Sequence, residues 1–186
     1  HSGNWLSNAK SNTTFEIGNG GSTAISRSYK ALRINNRIIN DIDKAPLTPE
    51  QKNEILGQAY FYRSWFYFQI IKRYGGMPII DKVFEGGDDD IPRVTYHESH
   101  DWMMEDIQKA IYMLPDSWDD PNYGRPTKIA AMALKEWAQL FDASPLMQND
   151  LNSTENKGYD TERAKSAAKS AYEVIRYMDG SKSAPY

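Results

Sequence analysis

The chain has 186 residues and no cysteine, so it is long enough for one domain that buries about 70% of its unfolded surface, and a disulfide framework is excluded. Its 25 acidic and 22 basic side chains leave a formal charge of −3, so no basic field recruits nucleic acid or an anionic membrane. No apolar run approaches the ~20 residues that span a bilayer, and residues 1–20 lack the basic-then-apolar plan of a signal peptide.

Residues 1–21 are rich in Ser, Asn, Thr and Gly and hold no sustained period, which predicts an irregular N-terminal loop. From Ser22 the pattern changes: Ala31, Ile34, Ile38, Ile42 and Ala45 recur every three or four residues and predict one face of a helix that Pro46 ends. Thr48 to Gln51 then read as a helix start, with Thr48 as cap, Pro49 in the first turn and Gln51 completing a capping box. This second helix is predicted to run to about Tyr74. Gly75 and Gly76 permit the left-handed turn that terminates a helix, and Pro78 forbids its continuation.

A connector follows from Met77 to Arg93, with three aspartates at 88–90. Thr95 and Glu98 form a second capping box, and Met103, Ile107, Ala110 and Leu114 are the expected buried stripe of a third helix ending at Pro115. After the turn-rich stretch 116–126, a fourth helix opens near Thr127, carries Ala130, Leu134, Trp137 and Phe141 on one face, and stops before Pro145. A fifth begins near Asp160, aligns Ala164, Ala168, Ala171, Ile175 and Met178, and ends at Gly180. Five main helices, long loops and no convincing strand pair make the class all-α. Residues 22–180 are read as a single helical array behind the loop 1–21.

The second helix packs seven aromatic rings into nine positions: Tyr60, Phe61, Tyr62, Trp65, Phe66, Tyr67 and Phe68. They point in nearly every direction around the helix, and a helix apolar all round is a buried one. Each ring can withdraw on the order of 150–250 Å² from water, so core is the favoured reading over an open carbohydrate platform. The alanines of the fourth and fifth helices let backbones approach opposite such rings, and helix pairs stacked in succession make a solenoid-like array. Leu56, Gly57 and Tyr60 echo the Leu-Gly-x-x-Tyr piece of the tetratricopeptide repeat, although these helices are too long for its 34-residue unit.

Bond chemistry finds little support. A zinc protease needs His-Glu-x-x-His so that two imidazoles one turn apart meet one ion. Here His97 and His100 are three apart and Glu98 already caps, so a solvated first helical turn is expected and no metal site. The aspartates at 88–90 lack the alternating spacing of a calcium loop. Nothing singles out an opposed carboxylate pair for glycoside hydrolysis, and no nucleophile elbow, phosphate loop or dinucleotide fingerprint is present.

Four stretches in order carry a resemblance: AYFYRSWFYFQIIKRYGGMPII, IPRVTYHESHDWMMEDIQKAIYMLP, GRPTKIAAMALKEWAQLFDASPL and ERAKSAAKSAYEVIRYM. Together they are similar to successive blocks of the SusD/RagB family of bacterial outer-membrane nutrient-binding lipoproteins. That resemblance implies tetratricopeptide-like helix pairs, non-enzymatic capture of glycans or other nutrients at the cell surface, no cofactor, and a SusC-type TonB-dependent transporter as partner. It also implies a lipid anchor on an N-terminal cysteine, which would lie upstream of His1, and a longer protein whose C-terminal portion contributes to the ligand site. The start at His1 and the end in SKSAPY are read the same way, as a trimmed chain.

Under that reading, loops on a rigid frame carry recognition. The candidates are Trp5 with its neighbours Asn4 and Asn8, and Trp118 and Tyr123 in the loop before the fourth helix. A flat ring stacks on the apolar face of a sugar while nearby Asn and Asp groups bond its hydroxyls. The alternative for each ring is packing under its own loop, and it weighs most for Trp118. A helical-repeat scaffold that binds only protein is the competing function, and a glycan-processing enzyme the third.

Overall fold

The helix starts that the sequence marks at Thr48, Thr95, Thr127 and Asp160 are the ones the chain uses. The computed structural model describes residues 24–84, 91–147 and 158–180. They form α1 (Ala24–Asp41), α2 (Pro49–Tyr74), α3 (Tyr96–Met113), α4 (Lys128–Asp142) and α5 (Thr161–Met178). No strand occurs among the described residues, and none of their helices is long and apolar enough to cross a membrane. Both capping boxes form: the Gln51 N–H donates to Thr48 Oγ1 at 3.3 Å and the Thr48 N–H to Gln51 Oε1 at 3.0 Å. At α3 the reciprocal bonds between Thr95 and Glu98 are 3.1 and 2.9 Å. Asp160 caps α5 by accepting from the N–H groups of Glu162 and Arg163.

Gly75 ends α2 with φ at 74°, where a side chain would be strained. The constraint at Gly76 is space: an added Cβ would sit 2.0 Å from the Val94 carbonyl oxygen, because the returning connector crosses it there. Arg93 fastens that crossing by donating to the Gly76 and Tyr74 carbonyls at 2.8 and 2.7 Å.

Each helix packs on its successor, α1 on α2, α2 on α3, α3 on α4 and α4 on α5, while α2 only grazes α4. This is the stacked all-α array that the periodicity predicts. Its core gathers Leu32, Tyr67, Phe68, Ile70, Ile71, Tyr96, Met103, Ile107 and Leu134. Phe68 meets Trp137 and Phe141 edge-on at 5.1 and 5.8 Å, and Tyr67 meets Trp102 at 4.8 Å, contacts that add to the area the rings bury.

The ring-dense helix nevertheless keeps a strip open, contrary to the expectation of burial all round. Tyr62 and Trp65 are 38% and 36% exposed. With α4 touching α2 so lightly, no other helix among the described residues closes over that side, and Trp65 leans on the half-exposed Trp137 at 5.8 Å.

The buried faces of three helices also differ from the predicted stripes. In α1, Ile34 is exposed and the inward face is Ser28, Leu32, Asn35 and Asn36. In α4 the buried set is Ala131, Leu134, Ala138 and Asp142, turned from the Ala130 to Phe141 stripe, with Trp137 displaced outward. In α5 only Ala167 and Ser170 are buried. Ile175 and Met178 stand exposed, and Ala164, Ala168 and Ala171 line a groove against Leu140 and Tyr159. The third helix follows its pattern: Met103, Ile107, Ala110 and Leu114 are all buried.

One buried ion pair ties the first three helices to the connector. Arg63 of α2 donates to both oxygens of Asp106 on α3, at 2.5 and 2.8 Å, and to Asn36 Oδ1 on α1 at 2.8 Å. Asn36 in turn donates to the Ile80 and Lys82 carbonyls. The guanidinium lies over the rings of Tyr60 and Trp102, at 5.4 and 5.2 Å.

Candidate functional site

The loop between α3 and α4 is closed at its root by two bonds to proline carbonyls. The Lys128 N–H donates to Pro115 O at 2.8 Å, and Trp118 Nε1 donates to Pro126 O, also at 2.8 Å. Trp118 is half-buried: its ring packs on the small cluster of Ala110, Leu114 and Ala131, and the Arg125 guanidinium lies 5.6 Å over it. A short 3-10 turn at Asp120–Asn122 forms the tip, with Asn122 Nδ2 donating to Asp119 Oδ1 at 2.6 Å and Gly124 taking φ of 92°.

Tyr123 leaves this tip 91% exposed, beside the Asp119 and Asp120 carboxylates and the Asn122 amide. An open ring among such groups can stack on an apolar sugar face and bond hydroxyls. Trp118 and Tyr123 therefore share a loop but play different geometric parts, one a wall under it and the other its outward ring. Trp5, Asn4 and Asn8 lie outside the described residues.

At the loop's edge, Tyr177 of α5 donates to Asp116, which also meets Lys128 Nζ at 3.3 Å. Burial first, and the bond and charge of Asp116 second, push the Tyr177 hydroxyl up to about 12.

A second polar centre sits where α3, α4 and α5 meet, and it corrects the expectation of a solvated first turn at residues 97–100. His97 is half-buried and His100 is 3% exposed. Asp142, 2% exposed, accepts from Arg163 Nη1 at 2.5 Å and from His97 Nδ1 at 3.0 Å. His100 Nδ1 lies 3.0 Å from Asp101 Oδ1, and that bond leads the causes holding the Asp101 carboxyl below its ordinary value. Burial above all, with the nearby Asp142 charge, raises the Tyr96 phenol strongly. Sequence reasoning missed this centre because Asp142 lies 45 residues from His97. The one available signal was a pair of histidines on a helix that also needs an inward face. No group of His, Cys, Asp and Glu suited to holding a metal ion occurs among the described residues.

Stacked helices with ringed loops define a helical-array protein. Within that class the chain belongs to the SusD-like family: the family profile described as "Starch-binding associating with outer membrane" matches residues 1–136. SusD-like protein P38 of Formosa agariphila is 28% identical over 102 residues, which is 54% of this chain and 20% of that protein. A solved SusD-like protein of Bacteroides fragilis superposes with a TM-score of 0.69 at 32% identity, over 82% of this chain and 26% of its own. A laminarin-binding SusD-like protein superposes at 0.62 with 18% identity, over 75% of this chain and 32% of its own. A structure with xylogluco-oligosaccharide superposes at 0.68, also at 18% identity, over 82% of this chain and 28% of its own. These last two share the fold with this chain. The chain thus spans a fifth to a third of the length of these relatives.

Proposed function

We propose that the chain is part of a cell-surface subunit that binds glycan and delivers it to a SusC-type TonB-dependent transporter. The observation that carries this reading is the family match over residues 1–136, whose description joins starch binding to the outer membrane. Two relatives of the same fold support the ligand class, one named for laminarin and one solved with a xyloglucan fragment. Residues 22–180 act as one scaffold and the loops as the reading surface. Tyr123 stacks on the sugar and Asn122, Asp119 and Asp120 bond its hydroxyls. Trp118 holds the loop from below, and Trp5 with Asn4 and Asn8 supplies a further ring. Affinity comes from stacking and hydrogen bonds without bond chemistry, and the subunit sits on the outer membrane through a lipid anchor.

Gel retardation and calorimetry against starch, laminarin and xyloglucan test this reading. Tyr123→Ala removes a contact worth about 1.4 kcal/mol and weakens binding roughly tenfold. Undiminished affinity in that variant would remove Tyr123 from the site. Failure to bind any of the three polymers would overturn the glycan reading in favour of a protein-only scaffold, and release of reducing ends would argue for an enzyme.

A further inference from the structure

The two ends of the helical array differ in the face they turn to solvent. At one end, α1 exposes Arg27, Lys30, Arg33, Arg37 and Asn40, with Ile34 among them. A polar outer face of this kind is what the terminal element of a stacked array needs in water. At the other end, α5 makes its main helix contacts with α4 alone among the described helices, and its outer face is apolar. Ile175 and Met178 are 58% and 68% exposed, and Leu140 and Tyr159 continue that surface at 58% and 74%. Beside Leu140 and Tyr159 runs a groove of about 380 Å³, lined along α5 by Ala164, Ala168 and Ala171.

The residue spacing agrees with the exposure. Ala164, Ala168, Ala171, Ile175 and Met178 recur every three or four residues, the period of a helix face that packs on another element. The face that α5 buries is a different one, holding Ala167 and Ser170, with the Ser170 hydroxyl bonded to Gln139 of α4. The helix thus carries two faces fit for packing and uses one of them among the described residues.

The array itself indicates what fits the second. Each helix packs on its successor, and consecutive elements of a chain are usually neighbours in space, so the position beyond α5 is the next step of the stack. Alanines let a neighbouring helix come close and receive its larger side chains. Lys165 and Lys169 stand exposed one position after Ala164 and Ala168, along the edge of the stripe, and Lys169 has no ion pair among the described residues. The helix that fits therefore presents large apolar side chains to the alanines and a carboxylate to this basic edge. Polypeptide to supply it exists in the relatives: the part matched in the solved Bacteroides fragilis protein is 26% of that chain.

We propose that the outer face of α5 is the seat of a further amphipathic helix of the same polypeptide, outside residues 1–186, which extends the array by one step and closes its apolar end. The inference holds whatever the loops bind.

Thiol labelling and cross-linking of the full-length gene product test it. Residues 1–186 contain no cysteine, so Ala168→Cys and Ile175→Cys each report one position on α5, and Arg33→Cys reports the polar end. With maleimide labelling followed by peptide mass spectrometry, both α5 thiols should react on the order of 100-fold more slowly than Arg33→Cys, because a covered thiol waits for local opening. Zero-length carbodiimide coupling should join Lys165 or Lys169 to an Asp or Glu outside residues 1–186 of the same molecule, at a monomeric mass by light scattering. Labelling of the α5 thiols as fast as Arg33→Cys, or cross-links of these lysines confined to residues 1–186, would overturn the proposal. Protection that is lost on dilution together with a dimer would overturn it in favour of a second copy.

Discussion

Removal of one member of the Arg63–Asp106 pair gives the sharpest test of how this array is held. Their side chains are 6% and 2% exposed, so solvent screens neither charge. Asp106→Ala strands a guanidinium that also lies over Tyr60 and Trp102, and breaking such a buried pair costs about 3–5 kcal/mol. In a chain of this size each kcal/mol lowers the melting temperature by about 2–4 °C, so a fall of roughly 6–20 °C is expected. Arg63→Met should cost as much, since it also leaves Asn36 Oδ1 without the guanidinium donor. The double variant Arg63→Met with Asp106→Leu removes both charges and should lie nearer the wild type than either single change. Its residual loss is about 1–3 kcal/mol, from Asn36. Urea unfolding with linear extrapolation reads all four proteins. Single-variant costs below about 1 kcal/mol, or losses that simply add in the double variant, would refute the claim that this pair ties the helices together.

Other features make separate predictions. Gly76→Ala forces a Cβ to 2.0 Å from Val94 O and should cost about 2 kcal/mol or more; urea unfolding at wild-type stability would mean the connector yields. Asp101 is held low chiefly by His100, and Asp160 chiefly by the Arg163 N–H. Both carboxyls are depressed, so their stabilisation is full above the ordinary value near about 3.9 and is lost as pH falls through their lower folded values. Melting temperature should therefore drop between about pH 5 and about pH 2, less so in Asp160→Asn, and a flat profile would contradict this. Burial pushes the Tyr67 hydroxyl up to about 12. With its value raised, its contribution is complete below the unfolded value near about 10 and declines as pH rises through the folded one. Tyr67→Phe gives up the bonds to the Met77 and Pro78 carbonyls, so it should melt lower at neutral pH yet lose less on alkaline titration.

What could be read ahead of the structure follows from how local each determinant is. Thr48, Thr95, Thr127 and Asp160 announce helix starts because a cap and its N–H partners lie within three residues. The stripe of α3 is legible because it is built from apolar side chains. The inward face of α1 is not, since Asn36 earns its place through carbonyls 44 and 46 residues away. Alanines around α5 give no contrast between faces, so Ala167 and Ser170 could not be told from Ala164 and Ala168. In the loop, Tyr123 stands out as a ring among turn residues, and the structure leaves it open. The burial of Trp118 depends on Pro126 and on a cluster from two other helices. The His97, His100, Asp142 and Arg163 centre draws on three helices, a distance at which periodicity carries no information.

The two proline carbonyls that cinch the α3–α4 loop at its base hold its root without using any side chain of residues 119–124. Sequence change at that tip is felt by whatever docks there and hardly at all by the scaffold. Under the proposed reading of Tyr123, a preference for one glycan would change by exchanging those six residues while the rods that carry them keep their register.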